Sequence, residues 1–451
     1  MKVLYVSYEV APIYKFGGLG DVAGSLPKAL ASFGIDIRIA MPGYPSIKQV
    51  PQLPNTKIPI IYVTGKPLEA TGIIGKNKTP RNRLRAFAYF SSQLLIDIKK
   101  KGFAPDIIHL NEWHAGLVPL LLKKQKDLFF AHTKTLVTLH NSLLQGIFLM
   151  KDLNNFFTRD IMQYIDNPHH EFINLSELSL KYADWITTVS PHFADEIKSK
   201  KFDFGLAKYL IPKGKHFEGI LNGIDYSIWN SNNDPYIHFP YTKESVNQKK
   251  IKNKEWFQRD FGLPIDSTIP LFSFIARISW QKGVDLLISV LRQIQKLPLQ
   301  CVVIGVGDKE IALTLNKIVK KNPKQLAFFN QYNEHEAHQA FASSDFFLMP
   351  SIFEPCGLTQ MMGMAYGTIP LVTDVGGLHD TVIDNKTGFF IKEYTSQALL
   401  NTLYKSLKLW QNKEKLYTMR HNVMSMDFSW NKSAHAYLKI YKSLINKRLK
   451  R

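Results

Sequence analysis

The sequence predicts an α/β protein made of two doubly wound domains, each built on a parallel sheet. Three observations lead there. Short apolar runs of strand length alternate with segments of helical period, first over residues 3–225 and again over 270–378. Such alternation gives parallel sheets covered by helices on both faces. With 451 residues the chain is also too long for a single core. Finally, glycines, charges and aromatics gather just after the apolar runs, where sheets of this kind hold ligands.

Composition narrows the function classes. An apolar fraction of 45% belongs to a packed globular protein and excludes a disordered or fibrous one. Cys301 and Cys356 are the two cysteines, so no disulfide framework is implied and a reducing compartment fits. No apolar run reaches membrane-spanning length, and a strand from residue 3 leaves no room for a signal peptide. The expectation is a cytoplasmic protein without a membrane partner. The net charge of +20 admits a nucleic acid, an anionic small substrate or a solvated surface. Its clusters, at 76–85, 99–101, 249–254 and 447–451, fall at loop, linker and terminal positions without an RNA-binding aromatic module. No nucleic-acid partner is expected.

In order, a strand at 3–7 leads to Lys15-Phe-Gly-Gly-Leu-Gly-Asp21 and a helix at 22–33. Strand, glycine turn and helix suggest an anion cradle, with Lys15 as a point charge; the pattern is neither G-x-G-x-x-G nor a P-loop. A strand at 36–41 and a turn at 42–45 follow. Residues 51–85 are ragged and basic and read as an excursion from the core, in the form of a hairpin over the cleft. A helix at 90–101 precedes a buried strand at 105–110, which ends in Asn111-Glu-Trp-His-Ala-Gly116; a strand at 136–139 likewise ends in His140-Asn141. A helix at 171–183, a strand at 185–190, a helix from 191 and a strand and turn at 219–225 complete the first series. Asn, Asp, Pro, Tyr and Lys then dominate through residue 264, as in a linker, with one helix near 249–261.

The second series has strands at 270–277, 300–304, 328–329, 345–349 and 370–373 and helices at 284–294 and 337–342. Arg277 leaves the first of these strands and Lys282 follows five residues on, a pair suited to neutralising a diphosphate or to a solvated basic turn. Glu354 lies between the strand at 346–349 and a helix at 359–365, before Pro355, which disfavours helical backbone at the glutamate. A carboxylate there either caps the helix or serves a ligand. Gly376-Gly377 arrive at the same sheet edge. Two such domains imply a cleft between their strand ends.

At this level of detail the chain resembles the bacterial glycogen synthase and plant starch synthase family of retaining GT-B glucosyltransferases. The resemblance spans nearly the whole length and rests on residues 15–22, Glu112-Trp-His-Ala-Gly116, His140-Asn141, 219–225, 277–285, 350–360, Gly376-Gly-Leu378 and Phe428-Ser-Trp430. It implies transfer of glucose from ADP-glucose to the non-reducing 4-hydroxyl of an α-1,4-glucan, with retention and with neither metal nor cofactor. Domains are expected at 1–228 and 229–428, with residues 429–451 a helix crossing back to the first domain. By motif, Arg277 and Lys282 hold the diphosphate with help from Lys15, Gly17 and Gly18 admit the phosphates, and Asp21 lines the cleft. Glu354 holds the donor glucose; Cys356, Gly357, Leu358, Gly376 and Gly377 line its pocket. His140 and Asn141 contact the glucose, Glu112 and Trp113 lie beside it, and Tyr332 stacks on the base.

Some positions depart from the family. Glu112 stands where Asp is common, Ile352 where Arg is usual and Val375 where Thr is common, and the segment 51–85 is short and basic. UDP-glucose as donor, another acceptor, and a silent nucleotide-sugar-binding protein are the competing readings.

Overall fold

The computed structural model describes residues 1–69, 79–125, 127–153, 156–157, 159–165, 171–200, 202–331 and 333–446. It divides into two compact units, Met1–Gly223 with the segment from Trp430 onward, and Ile224–Ser429.

The first unit holds strands β1 (Lys2–Val6), β2 (Asp36–Pro42), β3 (Ile60–Val63), β4 (Ile107–Asn111) and β5 (Lys134–Leu139). A small antiparallel pair, β6 (Ile147–Leu149) with β7 (Phe172–Asn174), stands apart, and β8 (Trp185–Thr188) and β9 (Phe217–Gly219) complete the main sheet. The sheet runs β3-β2-β1-β4-β5-β8-β9 with every pair parallel. Val3 to Val6 are fully buried, as a central strand covered on both faces requires. The chain winds outward from β1 through β2 to β3 and then returns to the other side of β1 at β4. That reversal opens a crevice between the ends of β1 and β4.

Two expectations change here. The first helix is Gly18–Ala31, four residues earlier than its periodicity suggests. Close approach outweighs propensity at its glycines: a Cβ on Gly24 would stand 2.4 Å from the Ala11 carbonyl oxygen. The ragged segment is also only partly an excursion. Ile60–Val63 pairs in parallel with β2 as a sheet edge, and the helix over 90–101 begins at Pro80, capped by Thr79. Residues 70–78 of that segment lie outside the described residues. The helix Trp430–Asn446 places Ala434, Tyr437, Ile440 and Tyr441 in the same core as Val3, Val22 and Leu26.

The second unit carries β10 (Leu271–Ile275), β11 (Gln300–Ile304), β12 (Leu326–Phe329), β13 (Phe346–Met349), β14 (Ile369–Thr373) and β15 (Phe389–Ile391). Their order is β12-β11-β10-β13-β14-β15, again all parallel, with the reversal between β10 and β13.

The basic linker reading fails in part. Residues 229–264 belong to this unit, and Lys250 and Lys254 on the helix Val246–Asp260 are buried. The Lys250 ammonium donates to the carbonyls of Phe341 (2.7 Å) and Tyr366 (2.9 Å) and to Thr368 Oγ1 (2.8 Å). Those carbonyls close the helices Glu334–Ser343 and Thr359–Ala365, where a cation offsets the helix dipole. Lys254 pairs with Asp345 at 2.9 Å, and Arg420 takes the other carboxylate oxygen. Half of the four lysines in 249–254 are therefore internal braces rather than solvated charge.

Candidate active site

In the first unit, the residues singled out from sequence sit on the loops after β1, β4 and β5. The β1 loop is wound around Glu9, a residue that sequence reasoning missed. Glu9 is 1% exposed, and its Oε2 accepts from the N–H groups of Phe16 and Gly17, the latter at 3.0 Å. Burial raises its carboxyl above the usual range against those bonds. In the loop read from sequence as an anion cradle at residues 15–21, an internal carboxylate thus occupies two of the N–H groups. Gly17 caps the helix, Gly18 opens it, and Lys15 Nζ meets Asp21 Oδ1 at 2.8 Å.

After β4, Glu112 adopts φ 64° and ψ 178°, a backbone region reserved almost entirely for glycine. Its Oε1 accepts from the N–H groups of His140 (2.6 Å) and Asn141 (2.7 Å), so the loop after β4 holds the loop after β5. Oε2 is buried with no hydrogen-bond partner among the described residues. Burial pushes the Glu112 carboxyl up to about 8. The extra methylene relative to aspartate is thus used to reach two amides on the neighbouring strand end. Trp113 stacks on His114 at 3.8 Å, and His114 stacks on Tyr8 at 3.6 Å.

His140 Nε2 lies 2.9 Å from Asn111 Oδ1, while Asn111 Nδ2 donates to the Val6 carbonyl. With the amide oriented that way, the proton sits on Nε2 and Nδ1 keeps its lone pair. Desolvation pushes the imidazole down to about 3, so it is neutral at pH 7 and can accept from a sugar hydroxyl.

In the second unit, Arg277 follows β10 and is exposed. Lys282 Nζ meets Glu354 Oε2 at 2.5 Å, and Ser351 Oγ donates to the same oxygen at 3.0 Å. The helix Thr359–Ala365 has no side-chain cap, so the Glu354 carboxylate serves Lys282 and Ser351 and not that helix end. The two loops are laced together: Ile352 N–H donates to the Gln281 carbonyl (3.0 Å) and Gln281 Nε2 to the Phe353 carbonyl (3.1 Å). Between them Gly283, at φ 70°, lies so near that a Cβ would fall 1.8 Å from the Pro350 oxygen.

The third loop closes on Glu354 from behind. Gly376 takes φ 45°, and a Cβ there would stand 2.0 Å from the Glu354 carbonyl oxygen; Gly377 N–H donates to that oxygen at 3.0 Å. Gln360 Nε2 bridges the carbonyls of Cys356 (3.2 Å) and Gly357 (2.9 Å) and Thr381 Oγ1 (3.1 Å). Cys356 and Gly357 are buried and Leu358 is half-buried. Tyr332 lies outside the described residues. Ser351, Gln281, Gln360 and Asn111 lie inside runs singled out from sequence, but sequence reasoning assigned none of them a role of its own, because they act on backbone atoms or other side chains at strand ends. Ser351 alone had a local signal, three residues before Glu354.

Two parallel-sheet α/β units are the architecture of the GT-B glycosyltransferases, and comparison with known proteins places the chain in that class. Residues 2–212 match the family described as starch synthase catalytic domain, and 257–422 match glycosyl transferases group 1. The chain is 36% identical to a glycogen synthase of Vibrio parahaemolyticus, over 99% of both chains. It is 35% identical to one of Anoxybacillus flavithermus, over 99% of this chain and 98% of that one. The chain belongs to the glycogen synthase and starch synthase family. Among solved structures it resembles the catalytic domain of Starch Synthase IV from Arabidopsis thaliana bound to ADP and acarbose. That match has a TM-score of 0.89 and 28% identity and covers 98% of this chain and 99% of the other.

Proposed function

We propose that this chain elongates an α-1,4-glucan, transferring glucose from ADP-glucose to the non-reducing 4-hydroxyl with retention of configuration. The observation that carries the reading is the Lys282–Glu354 pair at the strand reversal of the second unit, with Arg277 on the same loop as Lys282. Family membership supports the reaction class, and a related starch synthase described as bound to ADP and acarbose supports an adenine nucleotide and a glucan.

In this reading Arg277 and Lys282 bind the diphosphate, and Glu354 accepts from the donor glucose hydroxyls. Breaking the glycosidic bond builds negative charge on the departing diphosphate, so fixed cations lower the barrier by a few kcal/mol each, on the order of 3. Same-face attack through an oxocarbenium-like ion pair places positive charge at the anomeric carbon, and the His140 carbonyl is assigned to stabilise it. The neutral His140 ring and Asn141 contact the glucose, with Trp113 beside it. Lys15 adds a third cation, and Gly17, Gly18 and Asp21 border it. Cys356, Gly357, Leu358, Gly376 and Gly377 shape the donor pocket. The reading requires groups of both units to act on one donor molecule.

A donor panel tests it. ADP-, UDP- and GDP-glucose are each supplied with glycogen, glucose incorporation is measured, and the new linkage is read by proton NMR. ADP-glucose is expected to give the highest kcat/KM and an α-linked product. Preference for UDP-glucose would reassign the donor, a β-linked product would remove retention, and no transfer from any donor would leave a binding protein.

A further inference from the structure

The β1 loop carries one buried carboxyl group that the proposed chemistry does not use. Glu9 follows β1 by three residues, and its Oε2 receives the N–H groups of Phe16 and Gly17, which flank the Lys15 side chain on its C-terminal side. The Tyr8 hydroxyl hydrogen-bonds to the same carboxyl, and Ser7 Oγ donates to the Glu9 carbonyl at 2.7 Å. Around this centre the loop is pinned by a Val10–Tyr14 backbone pair and by Ala11 N–H donating to the Gly20 carbonyl at 3.0 Å.

Gly20 completes the arrangement. A Cβ there would lie 3.1 Å from Lys15 Cγ and 3.3 Å from Glu9 Oε2, so the absent side chain leaves room for the lysine stem beside the glutamate. The stem crosses the first helical turn and delivers its ammonium to Asp21, at 2.8 Å. We propose that Glu9 is a positioning residue for Lys15: by binding two consecutive amides it fixes the path of residues 15–17 and so the place of the ammonium. The inference rests on the reading of Lys15 as a donor-binding cation. A carboxylate kept out of water is costly, as its raised pKa indicates, and two amide bonds offset that cost only in this loop conformation.

The test compares Glu9→Ala, Glu9→Asp and Glu9→Gln, each in the natural chain and in a Lys15→Ala background, with thermal unfolding as the control for folding. Glu9→Ala is expected to lower kcat/KM for ADP-glucose by about ten- to a hundredfold, as two buried amides lose their acceptor. Glu9→Asp, one methylene short, falls close to it; Glu9→Gln, whose amide oxygen still accepts, loses least. In the Lys15→Ala background all three lose less than about twofold more, because the effect passes through Lys15. Equal losses in both backgrounds, or Gln as damaging as Asp, would overturn the inference. Should Glu9→Ala not fold, the Asp and Gln pair carries the comparison. If Lys15→Ala alone leaves kcat/KM for ADP-glucose intact, the reading of Lys15 fails and the inference goes with it. An impaired Lys15→Ala beside an unimpaired Glu9→Asp sinks the Glu9 assignment alone.

Discussion

The two strand reversals hold their ionisable groups differently. At the first, between β1 and β4, the polar groups are turned inward: Glu9 and Glu112 each fill a pair of consecutive backbone amides, and burial drives both carboxyls toward their neutral forms. His109, His114 and His140 are all pushed toward neutral rings. At the second, between β10 and β13, Lys282 pairs with Glu354 and Arg277 is exposed. One Rossmann-like frame thus holds two buried carboxyls and three desolvated imidazoles beside the partly exposed Lys15–Asp21 pair in the first unit and, in the second, an ion pair with an exposed guanidinium on the same loop as its lysine.

The largest effects should come from breaking the second reversal. Arg277→Ala and Lys282→Ala are each expected to lower kcat by about a hundred- to a thousandfold, the range for removing one group that stabilises developing charge. Arg277→Ala should shift the unfolding temperature little, because Arg277 is exposed, whereas Lys282→Ala should lower it as well, because the Glu354 carboxylate it pairs with is buried. Steady-state kinetics with ADP-glucose and glycogen check the first half and thermal unfolding the second. Glu354→Gln belongs with them: it keeps the size and loses the charge that meets Lys282, and a comparable fall in kcat is expected. Rates near those of the natural chain in any of the three would strip the second reversal of its proposed role.

A smaller effect should follow from disturbing how that charge is held. Gly376→Ala places a methyl group 2.0 Å from the Glu354 carbonyl oxygen in a left-handed backbone region. The loop must retreat, with a stability cost of about 1–3 kcal/mol and roughly a tenfold loss of kcat/KM as Glu354 moves with it. Chemical denaturation and kinetics on one preparation measure both. Gly34→Ala supplies the contrast: it has a similarly positive φ, and its Cβ meets nothing within 4 Å. It should cost stability alone.

What the sequence revealed follows the same division. The second reversal was legible because its chemistry lies in compact runs, Arg277 to Lys282 and Pro350 to Gln360, whose residue types declare charge. The strands were legible as apolar runs. The first reversal was read only in outline, because its organisers act across the sheet: Glu112 reaches His140 from 28 positions away, and Glu9 binds amides seven and eight residues on. Lys250 and Lys254 were hidden for a related reason. A lysine-rich helix reads as solvated, and only the fold shows the backbone carbonyls and the Asp345 carboxylate that receive two of its ammonium groups. The strand Ile60–Val63 was obscured by the basic and glycine-rich residues that follow it.

A last effect, read in stability and not in turnover, tests whether the buried Glu112 carboxyl is held neutral. Glu112 titrates at about 8 when folded, against 4.5 when free of the fold. Between those values the folded chain binds more protons at this site than the unfolded one, so Glu112 makes stability fall as pH rises from about 4.5 to about 8. The contribution is flat below and above that window. Glu112→Gln, which keeps the acceptor oxygen for the His140 and Asn141 amides, removes the slope. Relative to the variant, the natural chain should lose on the order of 1 kcal/mol per pH unit across the window, measured by denaturant unfolding at several pH values. Taking the difference cancels the contribution of Glu9, whose carboxyl is also raised and which is present in both proteins. Parallel curves would mean that Glu112 stays ionised throughout. The contrast between the two reversals would then reduce to a difference in burial, and the strained backbone at Glu112 would serve only to carry its carboxylate to the two amides.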